Sequence, residues 1–542
     1  MNELIKKTLD SRGLTEAVLS EINNGEHEDL KRIDDMCEAL HEIYERKEQI
    51  TILSDFDTDG VMCGVEGFAG LAELGFFVNL FIPNPKEGYG FDESTIDRLI
   101  SAYPNTKAII TADTGISCME GISRAKDLGL TVLLTDHHIQ SEQTRADVTV
   151  NPACLDETYL HPAICGAFVL YQILVRYAER YNTSRLENIK RLSLFAGIGT
   201  VSDIMPVLYE NRQLLKDSLN ICKLLYDGMG SYITGHPIYV SAFRGLTAFL
   251  TVLSAEGVIK SCDDITEDLY GFYISPMINS VKRMEDDLCR VYDIFFGNNP
   301  ERDVKYLVSL NKKRKDVTAF YMKEVTSSIQ PFAPYIYLTD APTGIVGLLA
   351  GSLMGNAPIL VVNRARLSGS GRSPEWYKAV DRLSPKGVKL AGHNGAFGVS
   401  FGSMEEVAAA YNAIRLDLEE IPEKEKEVLR LIDFTADENT DIFTVCEYLS
   451  EMKNYRPFGR GFNKPYVRFS VNPQKSVWEK FGKNGEHLRI SVSCPTGIIE
   501  IVCFGQGDKY KLKGGPVSVM GEFYINEFNG GKTLGFRGSI QM

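Results

Sequence analysis

Four short runs in this chain stop at or beside carboxylates, and that repeated arrangement restricts the fold more than any other feature. Thr131-Val132-Leu133-Leu134-Thr135 reads as a buried strand that ends on Asp136-His137-His138. Ile52-Leu53-Ser54 leads into Asp55-Phe56-Asp57-Thr58-Asp59-Gly60, and Ala108-Ile109-Ile110-Thr111-Ala112 into Asp113-Thr114-Gly115. Gly199-Thr200-Val201-Ser202, a looser version, leads into Asp203. A parallel sheet collects such strand ends along one edge, where ligands bind. Carboxylates and an imidazole gathered there repel one another unless cations sit between them. The pattern predicts a two-metal site for phosphoryl chemistry.

The rest of the chain fits an α/β protein of several parts. From about 49 to 150, apolar runs alternate with amphipathic stretches such as 61–75, which is βαβ patterning. Residues 1–48 read as polar helices without visible chemistry. Residues 166–196 carry a helical pattern ending near Gly197, and 210–330 are mostly helical, interrupted at Ile274-Ser275-Pro276. A second α/β segment starts near 333, with Tyr335-Ile336-Tyr337-Leu338 and Ile359-Leu360-Val361-Val362. The charged stretch from 413 to 440 reads as a solvated connecting helix. Strands and turns dominate from 465 onward, as in a small β-barrel.

A chain of 542 residues exceeds one core, so two to four domains are expected. Eleven cysteines are scattered without a C-x-x-C pair, which suggests reduced thiols and a cytoplasmic setting. We find no run of 18 apolar residues and no basic-then-apolar N-terminus, which argues against membrane spans and secretion. The net charge of −14 argues against nucleic acid on its face. Its distribution does not: residues 451–542 carry 14 Lys and Arg against 7 Asp and Glu, and part of the acidic excess elsewhere is the cluster a metal site needs.

In D-x-D-x-D-G, alternate residues of an extended chain face the same way, so the three carboxylates converge before Gly60 turns the chain into a helix. A calcium loop begins similarly, and Glu66 lies six residues past the glycine. Helical Val61-Met62-Cys63 stands where the ligating loop belongs, so that reading is set aside. Adjacent histidines at a strand end point to opposite sides, so one of His137 and His138 is expected to bind metal and the other to reach substrate. Ser370-Gly371-Arg372 and Gly392-His393 offer amides, a hydroxyl and a guanidinium, a combination suited to an anion; alone they would read as glycine turns. Tyr466, Phe469, Trp478 and Phe481 lie among Lys464, Arg468, Lys475, Lys480 and Lys483. Stacking faces beside cations suit single strands, the alternative being a barrel core with a basic exterior.

Asp57-Thr58-Asp59-Gly60, Asp113-Thr114-Gly115, Asp136-His137-His138 and Gly199-Thr200-Val201-Ser202-Asp203 resemble the four motifs of the DHH phosphoesterases. Over nearly its whole length the chain is similar to RecJ-type single-strand-specific 5′-to-3′ exonucleases. Tyr209-Glu210-Asn211-Arg212 and the stretch from Pro276-Met277-Ile278-Asn279-Ser280 to Arg283-Met284 resemble family segments beyond the metal site. Gly344-Ile345-Val346-Gly347, Ser368-Gly369-Ser370-Gly371-Arg372-Ser373 and Ala391-Gly392-His393 resemble the DHH-associated domain. Pro457-Phe458-Gly459 and Gly485-Glu486-His487-Leu488 resemble the family's OB-fold.

The resemblance implies an N-terminal helical segment (1–48), a parallel-sheet DHH catalytic domain (49–235), a helical connector (236–330) and a smaller α/β DHH-associated domain (331–420). An acidic helical linker (421–455) and an OB-like β-barrel (456–542) would follow. It implies that Asp113 bridges two divalent ions, Mn2+ or Mg2+. Asp57, joined by Asp55, would complete one ion; Asp59, His137 and Asp203 would complete the other. Asp136 would orient His137, and His138 would contact the scissile phosphate. Ser370, Arg372, Gly392 and His393, assisted by Arg283, would hold substrate phosphates. Lys86 stands near where the family usually has an arginine for a 5′ phosphate. Met277 replaces a common arginine, and Val281-Lys282 a small pair. The implied activity is metal-dependent hydrolysis of single-stranded DNA in repair or recombination, by a monomer working beside a single-strand-binding protein or a helicase. The alternatives are an oligonucleotide or cyclic-dinucleotide phosphodiesterase and a catalytically inactive DNA-binding scaffold.

Overall fold

The computed structural model describes residues 2–24, 28–82, 91–422, 431–528 and 531–541. The chain forms two compact units. The larger comprises Glu28–Met205 and Leu214–Val428; the smaller comprises Met1–His27, Pro206–Gln213 and Leu429–Met542. Residues 1–48, read from sequence as one segment, are thus shared between the units.

The larger unit opens with a five-stranded sheet: β1 (Gln49–Ser54), β2 (Phe77–Phe81), β3 (Thr106–Ala112), β4 (Thr131–Thr135) and β5 (Val148–Val150). The strands are parallel in the order β2-β1-β3-β4-β5. Strands β1, β3 and β4 are almost continuously buried, as expected where both faces of a parallel sheet are covered. The helix Thr58–Leu74, buried along nearly its whole length, packs against Gly166–Tyr181, Ser193–Ser202 and Pro237–Ala255.

Two expectations need correction here. The helical pattern does not end near Gly197; the helix Ser193–Ser202 runs through it. That glycine serves packing, because a Cβ there would lie 2.3 Å from Ser218 Oγ. Asp203 consequently follows a helix, not a strand. Ile274-Ser275-Pro276 is not an interruption either: a π-helical turn, Tyr270–Ile274, runs directly into the helix Ser275–Arg283. Pro276 sits in its first turn, where a missing N–H costs little. Pro237–Ala255 is long and apolar enough by composition to cross a membrane. In this fold it buries Tyr239, Phe243, Leu246, Phe249 and Leu253 in the core.

The helix Pro300–Ser327 leads to a second sheet: β6 (Ile336–Thr339), β7 (Ile359–Asn363), β8 (Ser368–Arg372), β9 (Leu390–His393) and β10 (Ala396–Ser400). Its order is β6-β7-β8-β10-β9, parallel only between β6 and β7. The segments around Ser370 and Gly392 are therefore strands, not glycine turns. Ile336, Leu360, Val362, Phe397 and Val399 form the core of this sheet with Val407 and Ile414 of the helix Met404–Glu420.

The smaller unit holds a mixed seven-stranded sheet: β11 (Phe434–Ala436), β12 (Val467–Val471), β13 (Ser476–Phe481), β14 (His487–Cys494), β15 (Gly497–Cys503), β16 (Val517–Phe528) and β17 (Gly531–Gln541). The order is β11-β12-β16-β17-β15-β14-β13. The acidic linker expected over 421–455 is only partly such. Residues 423–430 lie outside the described residues, β11 pairs in parallel with β12, and the helix Ile442–Met452 buries Val445, Tyr448 and Met452 in this core. Asp433 accepts from Arg12 Nε at 2.6 Å and Nη2 at 2.8 Å, and from the Tyr466 amide at 2.7 Å. Residues 206–213 are held by later chain. Val207 N donates to Arg460 O at 2.8 Å, Arg212 donates to the Pro457 and Tyr455 carbonyls, and its guanidinium lies 4.3 Å from the Phe462 ring centroid.

Candidate metal centre

The C-terminal edge of the first sheet delivers the acids. Strand β1 ends at Ser54, and Asp55 N donates to Ala112 O at 3.0 Å, which ties this turn to the end of β3. Asp57 caps the next helix by accepting from Gly60 N at 3.2 Å. Asp59, one residue inside that helix, is buried and accepts from Gly166 N at 2.8 Å and Ala167 N at 3.3 Å. Those amides begin the helix Gly166–Tyr181, whose positive end favours a carboxylate. Only glycine fits at 166, since a Cβ would lie 2.4 Å from Asp113 Oδ1. Glu66 is buried inside the helix, far from any loop, which agrees with setting calcium aside.

Asp113 follows β3 in a left-handed conformation (φ 64°). His137 Nε2 lies 3.2 Å from Asp113 Oδ1, 3.7 Å from Asp203 Oδ2 and 4.0 Å from Asp59 Oδ2. Ligand atoms of Asp59, His137 and Asp203 fall within 4.8 Å of one another, as do those of Asp55, Asp57 and Asp113, and of Asp113, His137 and His138. Asp113 Oδ1 is buried without a hydrogen-bond donor. The His137 ring is held by the Ile164 backbone, and burial, reinforced by the nearby His138 charge, pushes its pKa down to about 4. The ring is therefore neutral, and with its proton given to Ile164 the Nε2 lone pair faces the carboxylates. Lone pair against carboxylate is repulsive, and a divalent cation held among these groups would satisfy both. Burial, then mutual repulsion, also drives Asp113 well above the usual carboxylate range, with Asp55 and Asp59 raised for the same reasons. The donor set of carboxylates with one imidazole suits hard divalent ions.

Two expectations about the histidines are overturned. Their rings do not point apart; the centroids are 4.5 Å from each other. The strand ends at Thr135, so alternation no longer applies at 137 and 138. Nor does Asp136 orient the His137 ring. Asp136 Oδ1 takes His138 Nδ1 at 2.7 Å, besides the amides of His137 and His138, and Oδ2 takes Ile116 N at 2.9 Å. The hydrogen bond to Asp136 raises His138 to about 9 despite partial burial. Burial opposes the Asp136 charge, but the His138 and backbone hydrogen bonds outweigh it and keep that carboxyl low. The pair is carboxylate and imidazolium at neutral pH.

A cationic group stands beside the acids. Arg283, at the end of the helix Ser275–Arg283, is lowered to about 10 by burial and by the guanidiniums of Arg314 and Arg372, with Asp57 opposing. Arg372 Nη1 donates to Ser370 Oγ at 3.0 Å and Gly371 O at 2.8 Å. Gly344 lets the helix Thr343–Leu353 close on Arg283, because a Cβ there would lie 2.5 Å from the Arg283 carbonyl. His393 is exposed, and Arg372 and His393 both pair with Ala396 in one row across β8, β10 and β9. Gly392 is in the next row, at φ 121°. Lys86 lies outside the described residues.

In the smaller unit the expected stacking surface is partly wrong. Phe469 and Trp478 are core residues. Tyr466 and Phe481 are partly exposed, and Phe481 clusters with His487 and Phe504, with centroids 5.0 to 6.1 Å apart and Arg489 over Phe481.

Residues 49–198 match the DHH family, N-terminal domain, and residues 443–538 match the RecJ OB domain. The chain carries a DHH domain and a RecJ OB domain. It is 23% identical to the single-stranded-DNA-specific exonuclease RecJ of Bacillus subtilis over 533 residues, 93% of this chain and 62% of that protein. It is likewise 23% identical to the RecJ of Haemophilus influenzae, covering 93% of this chain and 89% of that one. The crystal structure of RecJ in complex with Mn2+ from Thermus thermophilus superposes with a TM-score of 0.76 at 19% identity, covering all of this chain and 76% of that one. This likeness extends the shared fold beyond the DHH and OB domains to the whole chain.

Several residues of the DHH centre carried no signal of their own. The Gly166 and Ala167 amides, the Ile116 amide and the Ile164 backbone act through main chain. Asn279, which accepts from Thr58 N at 3.1 Å, lay in a stretch noted only for its resemblance. Arg314 was hidden in the basic run Lys312-Lys313-Arg314-Lys315.

Proposed function

We propose that this chain is a metal-dependent exonuclease that hydrolyses phosphodiester bonds of single-stranded DNA, 5′ to 3′. Asp55, Asp57, Asp59, Asp113, His137 and Asp203 are the residues that would hold two divalent ions, Mn2+ or Mg2+. The observation that carries the reading is the His137 Nε2 lone pair set 3.2 Å from the donorless Asp113 Oδ1, with Asp59 and Asp203 beside it. Bound there, divalent ions would neutralise phosphate charge and make water acidic enough to attack phosphorus near neutral pH.

The protein's own groups do the rest. Gly166 and Ala167 amides fix Asp59. Asp136 keeps His138 protonated, so that its imidazolium can hold a nonbridging oxygen of the scissile phosphate and stabilise the added charge as it forms. Arg283, Arg314 and Arg372, with Ser370 and His393, would grip neighbouring phosphates and keep the strand in line. The basic OB domain with its exposed Phe504 and half-buried Phe481 and His487 supports a second hold on single strands. Action in the cytoplasm, in repair or recombination, with a single-strand-binding protein or helicase as partner, belongs to the same reading. All eleven cysteines are free, which suits that compartment.

The test uses 5′-labelled and 3′-labelled single and double strands with Mn2+, Mg2+ or chelator. Mononucleotides should leave single strands from the 5′ end, and chelator should stop the reaction. Cleavage confined to dinucleotides would favour the oligonucleotide or cyclic-dinucleotide reading. Metal-independent binding without hydrolysis would favour the inactive scaffold.

A further inference from the structure

We propose that Lys282 is a built-in monovalent cation beside the Asp55, Asp57 and Asp113 half of the centre, and that it makes this half bind its divalent ion more weakly than the Asp59, His137 and Asp203 half. The inference rests on the two-ion reading above and adds an order to the two sites.

Lys282 Nζ lies 3.5 Å from the centroid of the Phe56 ring, and Phe56 stands between Asp55 and Asp57. An ammonium over an aromatic face is held by the ring quadrupole. The helix that carries it is fixed against the same turn, since Thr58 N donates to Asn279 Oδ1 at 3.1 Å and Thr58 Oγ1 to Ser275 O at 3.2 Å. Its charge is felt by both Asp55 and Asp57, and theirs by it. The other half is built differently. Asp59 is satisfied by main-chain amides, and the imidazole of His137 stands 3.7 Å from Asp203. The His138 imidazolium acts on Asp55 and Asp203 alike, so it does not separate the halves. Lys282 does separate them, on the same side as Arg283, whose charge also meets Asp57. A unit positive charge there competes electrostatically with a divalent ion bound by Asp55 and Asp57, while lowering the repulsion among those carboxylates when no ion is bound.

The test is a Mn2+ titration of the full chain, with free Mn2+ followed by electron paramagnetic resonance at fixed ionic strength. The wild-type protein should show two affinity classes. Lys282→Gln should tighten the weaker class about tenfold, the order expected for one unit charge near a divalent ion in a partly hydrated site, and leave the tighter class in place. Lys282→Arg, which keeps the charge, should match wild type. Phe56→Leu, which removes the seat of the ammonium, should tighten the weaker class by a smaller factor. Two classes in wild type with Lys282→Gln unchanged, both classes moving together, or Lys282→Arg behaving like Lys282→Gln would each overturn the proposal. Failure of wild type to bind two ions would overturn the two-ion reading itself, and this inference with it.

Discussion

The DHH centre and the OB unit both bury charge, but they treat it in opposite ways. In the OB unit two buried charged groups have their partners: Asp433 receives two guanidinium bonds from Arg12 and an amide from Tyr466, and Arg212 gives its protons to carbonyls. In the DHH centre carboxylates face carboxylates and the lone pair of a neutral imidazole, and burial then repulsion raises their pKa values. Paired burial rigidifies a fold. Burial of like charges costs stability, and it persists where a bound cation can compensate.

The largest contrast comes from deleting one charged side chain on each side. Asp113→Ala should lower hydrolysis of a 5′-labelled strand by about a thousandfold or more. It should also raise the melting temperature in chelator. A carboxyl whose folded pKa lies above its unfolded one binds more protons when folded, so stability falls as pH rises between the two values, and removing the group removes that loss. An unchanged turnover would end the assignment. In the OB unit Arg12→Ala should do the reverse, with no gain anywhere. Stranding Asp433 should cost about 3 kcal/mol by denaturant unfolding, and a neutral result would erase the contrast.

The next effect concerns a well-paired charge within the DHH centre. His138 is raised to about 9, so its positive charge is present below that pH and lost above it. Asp136→Asn removes the main cause, and the alkaline fall of kcat/KM with Mg2+ should move toward the unperturbed value of about 6.5. A limb still near 9 would show that Asp136 does not set it. The smallest effect is expected at Arg314. Arg314→Ala should weaken single-strand binding several-fold and reduce the salt slope by about one, with Mn2+ affinity unchanged. A change in metal affinity would place Arg314 on the wrong side of the comparison.

Much of the acidic edge could be read from sequence because β1, β3 and β4 are short apolar runs that end on carboxylates, and a parallel sheet aligns such ends. Asp203 was misplaced because Gly-Thr-Val-Ser reads as a loose strand, whereas packing between helices selects the helix. The two histidines were set apart by a rule for strands that stops applying at Thr135. In the OB unit, Phe469 between Arg468 and Ser470 shows the inward alternation of β12, but exposed Val477 beside buried Trp478 obscures it in β13. Main-chain donors such as Gly166 N, and arginines brought together from distant helices, depend on tertiary structure and leave no local trace.

The short stretch just after Asp203 finds its partners in chain made more than two hundred residues later, at Tyr455, Pro457, Arg460 and Phe462. During synthesis, therefore, an acid of the centre emerges early while the peptide anchoring its C-terminal side waits for the ribosome to reach the OB unit. A nascent chain stopped before that point has the letters of all four motifs but lacks the anchor behind the last of them.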